Sequence, residues 1–216
     1  MKRFIILFMA CSVLLVGCAK RAHWNQKMTL RIDTPNGPVV ASGVVAVNYV
    51  SPVWFKQINN FKINVSGEAI VVDMDEGRTL FALLGGMENL MRDTLRDAGL
   101  IDSPVYVDVT KAIKAQTEPL TVPPKLYPML VTFDDVTDPK TVRRVSPANL
   151  AASFGTGYAL RKVTLEITRE RVTKGVVEGV LPCLNSGKQC VPLNETLKYG
   201  HPMRNILNSH FRIKRK

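Results

Sequence analysis

Histidine is scarce in this sequence, which contains three among 216 residues. His23 lies near the amino terminus, and His201 and His210 lie close to the carboxyl terminus. General acid–base chemistry and catalytic triads usually need a histidine that is held in a rigid pocket. None of the three stands in a motif of that kind, so the sequence supports no assignment of a catalytic residue.

Motifs for binding phosphate or metal are also missing. The glycine-rich loop at 153–157 has neither the arrangement of a nucleophile elbow nor the lysine of a phosphate-binding loop. Acidic residues cluster at 73–76 and in FDDVTDP at 133–139, but neither cluster has the further oxygen ligands and closing glutamate of a calcium loop. Both clusters are typical of turns. We therefore predict no metal and no cofactor.

The amino terminus holds a long apolar run, from Phe4 to Val16. Such a stretch spans only about 20 Å as a helix, against about 30 Å of bilayer hydrocarbon, so it is too short for a comfortable transmembrane helix. Lys2 and Arg3 precede it, and the small residue Gly17 follows it. This arrangement is typical of a targeting segment that is removed after export.

The end of this segment, Leu15-Val16-Gly17-Cys18, matches the lipobox of bacterial lipoproteins at every position. The chain therefore resembles a bacterial lipoprotein, and the resemblance covers this segment alone. It implies cleavage between Gly17 and Cys18, a diacylglycerol group on the Cys18 thiol, and a fatty acid such as palmitate on the new amino terminus. Acyl chains contribute about 0.8 kcal/mol per buried methylene, so they hold a protein on a bilayer without a spanning helix. The alternatives are an ordinary signal peptide and an uncleaved anchor.

The residue after the lipobox cysteine bears on the choice of membrane. In enteric-type bacterial lipoproteins an aspartate there tends to retain the protein at the inner membrane. The residue here is Ala19, so the resemblance implies attachment to the outer membrane, on its periplasmic face. Attachment to the inner membrane is the alternative.

The chain is basic, with a formal net charge of +11 that falls by two when Lys2 and Arg3 leave with the signal. This charge favours anionic partners such as lipid head groups or acidic wall polymers, whereas nucleic acid is not expected for an exported protein. The terminal sequence RIKRK is the predicted anionic-surface site. Its basic residues are Arg212, Lys214, Arg215 and Lys216. A simple solvated tail is the alternative.

Two cysteines remain after processing, Cys183 and Cys190, in an oxidising compartment. The turn-forming cluster at 185–188 lies between them, so we expect the flanking segments to run antiparallel and to bring the two sulfurs together. Closing this loop is worth about 2.5 kcal/mol in the chain-entropy model. We therefore predict a disulfide. Metal binding with His201 is the alternative, but two cysteines and one distant histidine make a poor zinc site.

Alternation of polar and apolar residues at 27–33 and a β-branched run at 39–50 predict a hairpin. A second hairpin is predicted at 68–74 and 78–84, where continuous apolar runs are typical of strands covered on both faces. Apolar residues at helical spacing after Met87 predict an amphipathic helix.

Further strands are predicted at 130–135 and 159–170, with a helix between them that Ser146 caps. The fold class that follows is α+β, rich in mostly antiparallel strands with a few short helices. We divide the chain into a signal peptide (1–17), an anchored stalk (18–26), a β-rich part (27–118), a proline-rich connection (119–128) and a β-rich part with a basic tail (129–216). The alternative is that 27–118 and 129–216 form one domain.

These features favour a lipid-anchored envelope lipoprotein with a non-catalytic binding or scaffolding role that faces the periplasm. Its expected partners are the membrane, through the lipid anchor, an anionic lipid or wall polymer, and an envelope protein of unknown identity. The alternative is an envelope hydrolase whose acid and base are aspartates or glutamates.

Substituting Cys18→Ser should abolish acylation and block processing, because the lipid is carried by the thiol. Mass spectrometry of the mature amino terminus measures this directly, with the wild-type chain as the control. An unmodified Cys18 in the wild-type protein, or a mature chain that begins at another residue, would overturn the lipoprotein prediction.

Overall fold

The fold is that of a computed structural model, which describes residues 20–51, 62–75, 77–102, 106–186, 190 and 208–213. The lipobox residues Gly17 and Cys18 lie outside these ranges, as do Lys214, Arg215 and Lys216 of the basic tail. Lipid attachment at Cys18 and the anionic-surface role of these three basic residues therefore stay predictions.

The described residues form two antiparallel sheets with short helices. The strands are β1 (Lys20–Thr34), β2 (Gly37–Ser51), β3 (Lys62–Glu68), β4 (Ile70–Asp73), β5 (Thr79–Ala82), β6 (Leu120–Thr121), β7 (Leu130–Phe133), β8 (Val142–Val145), β9 (Ala159–Thr168) and β10 (Arg212–Ile213). The helices are α1 (Met87–Asp97), α2 (Tyr106–Ala115), α3 (Ala151–Phe154), α4 (Val176–Val180) and α5 (Cys183–Ser186). The structure confirms the predicted α+β class, with mostly antiparallel sheet.

The larger sheet has six strands in the order β10-β3-β2-β1-β9-β6, and the smaller has four in the order β4-β5-β7-β8. Both predicted hairpins are present, as β1-β2 and β4-β5. The first is longer than predicted because β1 begins at Lys20. Residues 20–26 therefore belong to the fold rather than to a stalk. Trp24 is only 4% exposed and packs in the core, while its neighbours His23 and Asn25 face the other side of the sheet.

The main core lies between the inner face of the six-stranded sheet, one face of the four-stranded sheet, and helices α1 and α2. A second core covers the other face of the four-stranded sheet. At its centre Phe81, Phe133 and Phe211 lie with ring centroids between 5.6 and 6.0 Å apart. The four-stranded sheet is thus covered on both faces, which explains the continuous apolar runs of β4 and β5.

The proline-rich connection does not divide the sheets. Leu120 and Thr121 form the edge strand β6, which pairs with β9 of the larger sheet. Both sheets contain strands from 27–118 and from 129–216. Prolines lack a backbone donor, but a two-residue strand at a sheet edge can form between them.

Helix α1 begins at the predicted Met87, and a backbone bond from Leu100 to Leu95 closes its end over Gly99. The predicted capping of a helix by Ser146 is wrong. Helix α3 begins only at Ala151, and residues 146–149 form a turn closed by the Asn149 amide to the Ser146 carbonyl. Pro147 fixes its own backbone angle but does not extend the helix.

A sharp bend at Gly67 takes the chain out of the larger sheet. Strand β3 pairs with β2 from Lys62 to Ser66 and then leaves it, and after Ala69 the chain enters the smaller sheet as β4. Gly67 has a φ of +148°, and a Cβ there would lie 2.9 Å from Val45 Cγ1. The bend therefore requires glycine, for its conformation and for the close approach of Val45.

Substituting Gly67→Ala should lower the free energy of unfolding by about 1–3 kcal/mol, because the added methyl strains the backbone and collides with Val45. Gly179→Ala is the matched control, since Gly179 lies in helix α4 with open space around it. That change should be neutral or stabilising by about 0.5–1 kcal/mol. Urea unfolding measures both, and equal effects would contradict the requirement for glycine at the bend.

Candidate functional site

The outer face of the six-stranded sheet is polar. Alternate residues of β1 point away from the core, and pairing places residues opposite each other on the same face. Asn25 of β1 lies opposite Ala46 of β2, which lies opposite Ser66 of β3. In the next row His23 lies opposite Asn48, and the His23 ring Nδ1 is 2.9 Å from the Asn48 side-chain oxygen. Polar side chains therefore cluster near the start of β1.

A segment that follows β9 crosses this outer face, and we call residues 169–175 the strap. The Asn25 side chain donates to the Glu170 carbonyl at 2.9 Å, and Lys27 Nζ donates to the Glu170 carboxylate at 2.7 Å. The bond to Glu170 raises the pKa of Lys27 above its usual value. The Lys27 ammonium therefore stays charged across the neutral pH range.

The far end of the strap takes the position that β3 leaves empty. The Thr173 amide donates to the Val44 carbonyl at 3.0 Å, and the Val44 amide donates to the Thr173 hydroxyl at 2.9 Å. These bonds satisfy the backbone edge of β2 beyond the bend at Gly67. The strap is therefore fixed at both ends on the outer face.

A cleft of about 600 Å³ lies beside the strap on the outer face. Its lining includes His23, Asn25, Ser66, Glu68, Thr173, Lys174, Glu178 and Arg212. The lining mixes polar and apolar groups, and it combines residues from β1, β2, β3, the strap, α4 and β10. The cleft exists because β3 bends away from β2 and the strap only partly fills the space.

Glu68 forms one wall of the cleft and is only 2% exposed. Its carboxylate accepts hydrogen bonds from the backbone amides of Gly175, Val176 and Val177, at 2.6, 3.0 and 3.3 Å. These are amides at the amino terminus of α4, which have no partner within the helix. The carboxylate therefore serves as the cap of α4 and joins the strap to the bend of β3.

Arg212 forms part of another wall. Its guanidinium makes an ion pair with Glu178 and donates to the Leu184 carbonyl at 2.8 Å, and its side chain is only 14% exposed. Its strand β10 pairs with Glu68 and Gly67 of β3. Arg212, which the sequence predicted as part of an anionic-surface site in the basic tail, thus belongs to the folded structure, and its charge is already paired with Glu178.

Two hydrogen-bonding groups on residues that line the cleft have no partner among the described residues. The Asn25 Oδ1 atom is buried and accepts no hydrogen bond from the described residues. The Ser66 hydroxyl also lines the cleft, and none of the hydrogen bonds among the described residues includes it. Buried polar atoms are usually paired, so an unpaired acceptor on a residue that lines a cleft is a candidate partner for a donor group once the side chain turns toward the cleft.

The predicted disulfide between Cys183 and Cys190 is present, with the two Cα atoms 5.4 Å apart. The local structure differs from the predicted antiparallel return, because Cys183 begins the short helix α5. Cys190 is buried, and its amide donates to the Asn208 side chain at 2.9 Å. The disulfide and this hydrogen bond together join α5 to Asn208, which lies just before Phe211 and β10. His201, of the metal alternative, lies outside the described residues.

The acidic cluster at 133–139 forms a turn. Asp134 pairs with Arg143, and the Asp135 carboxylate accepts hydrogen bonds from the Thr137 hydroxyl and amide. The bonds from Thr137 lower the pKa of Asp135. Across the part of the chain that the structure describes, no group of three or more histidine, cysteine or acidic side chains is placed to hold a metal ion.

A cluster around Arg78 holds the turn between β4 and β5 against α3. The guanidinium donates to the Phe154 carbonyl at 2.7 Å and lies over the rings of Phe154 and Tyr158. The Tyr158 hydroxyl is 3.1 Å from the Met74 carbonyl and 3.1 Å from the Asp75 carboxylate. These contacts join elements far apart in sequence, so the cluster supports the fold.

Comparison of the chain with family models, with curated proteins and with solved structures finds no match. No similar protein therefore indicates a role for the cleft, and its geometry alone supports a function. None of the helices in the described ranges combines the length and the apolar character needed to cross a membrane.

The sequence did not indicate the cleft residues Asn25, Ser66 and Glu68. Asn25 continues the alternation of β1 toward the amino terminus, which is a local signal that the predicted stalk at 18–26 obscured. Glu68 stands as a charged residue at the head of an apolar run, and this is a signal for a buried, paired carboxylate. Its partners lie more than 100 residues away, so no local pattern identifies them.

Substituting Glu68→Ala should lower the free energy of unfolding by about 1–3 kcal/mol, because it leaves backbone amides of α4 buried without acceptors. Glu170→Ala is the matched control, since this strap carboxylate makes an exposed ion pair worth at most about 1 kcal/mol. Chemical denaturation of both variants measures the difference. A cost at Glu68 no larger than that at Glu170 would show that the cap does not hold α4.

Proposed function

We propose that the mature chain is a lipid-anchored envelope lipoprotein that acts by binding rather than catalysis, at the periplasmic face of the outer membrane. The binding site is the outer face of the six-stranded sheet with its cleft. The observation that carries the proposal is the hydrogen bonding of the residues that line the cleft. The Asn25 side-chain oxygen and the Ser66 hydroxyl have no partner among the described residues, whereas the carboxylates of Glu68 and Glu178 are engaged in structural bonds.

The position of the cleft along the chain fits this proposal. His23, at the cleft, is five residues after Cys18, so at most about 18 Å of extended chain separates the cleft from the proposed lipid anchor. A binding face held so close to a bilayer meets ligands of that surface at high effective concentration. Weak contacts are then sufficient for function.

The hydrolase alternative has one observation in its favour, because two carboxylates line the cleft. A general acid or base must be able to exchange a proton with the substrate. Glu68 instead accepts three backbone hydrogen bonds, and Glu178 pairs with Arg212. The alternative would be favoured if Glu68→Gln or Glu178→Gln abolished a hydrolytic activity on envelope material without loss of stability.

A photo-crosslinking amino acid at His23 should form adducts in living cells, because this exposed side chain borders the cleft. The matched control is the same crosslinking group at the exposed Lys111 of α2. Helix α2 packs against the inner side of the sheet, so this position faces away from the cleft. Intact-mass spectrometry of the envelope fraction detects the adduct and distinguishes lipid, polymer and protein by mass. Adducts at neither position, or equal adducts at both, would contradict a binding role for the outer face.

A further inference from the structure

The register of the six-stranded sheet places two cations directly opposite each other. Arg31 of β1 lies opposite Lys162 of β9 on the outer face, and both side chains are exposed. Like charges at directly opposite positions in an antiparallel pair lower stability. Sequences tend to keep such local conflicts where function requires them, so this pair marks a place where an anion would be favourable.

The same outer face carries further unpaired cations. Arg21 of β1 and Lys62 of β3 lie on either side of Val50 of β2, at the end of the sheet where β1 begins. The strap that crosses the face adds three exposed basic residues, Arg169, Arg171 and Lys174. None of these residues forms an ion pair with another described residue.

The acidic residues on this face are already paired. Glu166 and Glu170 both lie within ion-pair distance of Lys27, and Asp33 pairs with Arg161. Within the described ranges the positive charge of Arg31, Lys162 and the strap therefore has no neutralising partner on the face. A strong single-sign field of this kind attracts an anionic surface.

One exposed apolar side chain completes the arrangement. Val40 of β2 lies opposite Arg31 in the same row, and it is 62% exposed. The row thus presents Lys162, Arg31 and Val40 side by side on three adjacent strands. The central strand, β1, is about 50 Å long. Basic side chains beside an exposed apolar side chain match the head groups and the outermost methylenes of a bilayer.

We propose that this basic outer face docks on the anionic phospholipid head groups of the membrane that carries the anchor. The inference rests on the proposed lipid anchor for its biological setting, and it names the partner of the binding face. Lipid phosphates between Arg31 and Lys162 relieve the repulsion of the pair. A tether at Cys18 and contacts as far away as Arg31 together hold the sheet along the bilayer.

Binding to vesicles tests this docking without the anchor. The chain at 19–216, which contains every strand and helix that the structure describes, is mixed with vesicles of phosphatidylglycerol and phosphatidylcholine, or of phosphatidylcholine alone. We expect binding to the anionic vesicles only, with a decrease as salt rises. Neutralising Arg31→Gln and Lys162→Gln together should weaken the partition by roughly 25-fold, at about 1 kcal/mol for each basic residue.

The matched control removes the same charge from the opposite side of the molecule, with Lys111→Gln and Lys114→Gln on α2. It should change the partition by less than about threefold, because the removed charges lie away from the bilayer. Thermal unfolding separates docking from misfolding. The Arg31 and Lys162 variant should unfold at the wild-type temperature or higher, because a repulsive pair is removed.

The single substitution Lys162→Glu gives a second, independent reading. It places opposite charges across the pair with Arg31, so it should raise the unfolding temperature and still weaken vesicle binding.

Equal losses of vesicle binding in the double variant and in its α2 control would overturn the proposal. So would unchanged vesicle binding together with lost sedimentation on isolated cell walls, which would assign the face to a polymer. An unmodified amino terminus in the mature protein would instead overturn the proposed lipid anchor, and the vesicle binding would still support docking of this face.

Discussion

The departure of β3 from the larger sheet at Gly67 is the constraint on which the rest of the candidate site depends. A strand that continued straight would satisfy the edge of β2 and leave no room for the strap or the cleft. Because the chain bends, the backbone groups of Val44 need other partners, and the amide and the side-chain hydroxyl of Thr173 supply them. The bend also brings Glu68 to the amino terminus of α4, where its carboxylate replaces the missing intrahelical acceptors.

Local patterns were sufficient for much of the fold. The hairpin β1-β2 follows from period-2 alternation and a β-branched run, β4-β5 follows from two continuous apolar runs, and α1 follows from its apolar spacing. In each hairpin the two paired strands are close in sequence, and the apolar face of α1 lies within one helix, so the signals for these elements are local. The two-residue strands β6 and β10 are different, because they form only where β9 and β3 already present an edge. No pattern of two residues carries that information.

The candidate site was largely outside the reach of the sequence for the same reason. Composition revealed the basic excess but assigned it to the terminal RIKRK, whereas Arg212 is paired inside the fold. The opposition of Arg31 and Lys162 depends on a register that passes a bulge in β9, and a shift of one residue would separate the two charges. Charge can be counted from a sequence, but its placement on a face requires the strand pairing.

The cleft also depends on covalent chemistry at a distance. The Cys183–Cys190 bond joins α5 to Cys190, whose amide donates to Asn208 just before β10, and β10 places Arg212 against Glu178 of α4. The amino terminus of α4 in turn rests on Glu68. The walls of the cleft are therefore connected through one disulfide, one ion pair and one buried carboxylate. A structural disulfide persists in an oxidising compartment, so the proposed export would place the proposed binding face where the bond that supports it is stable.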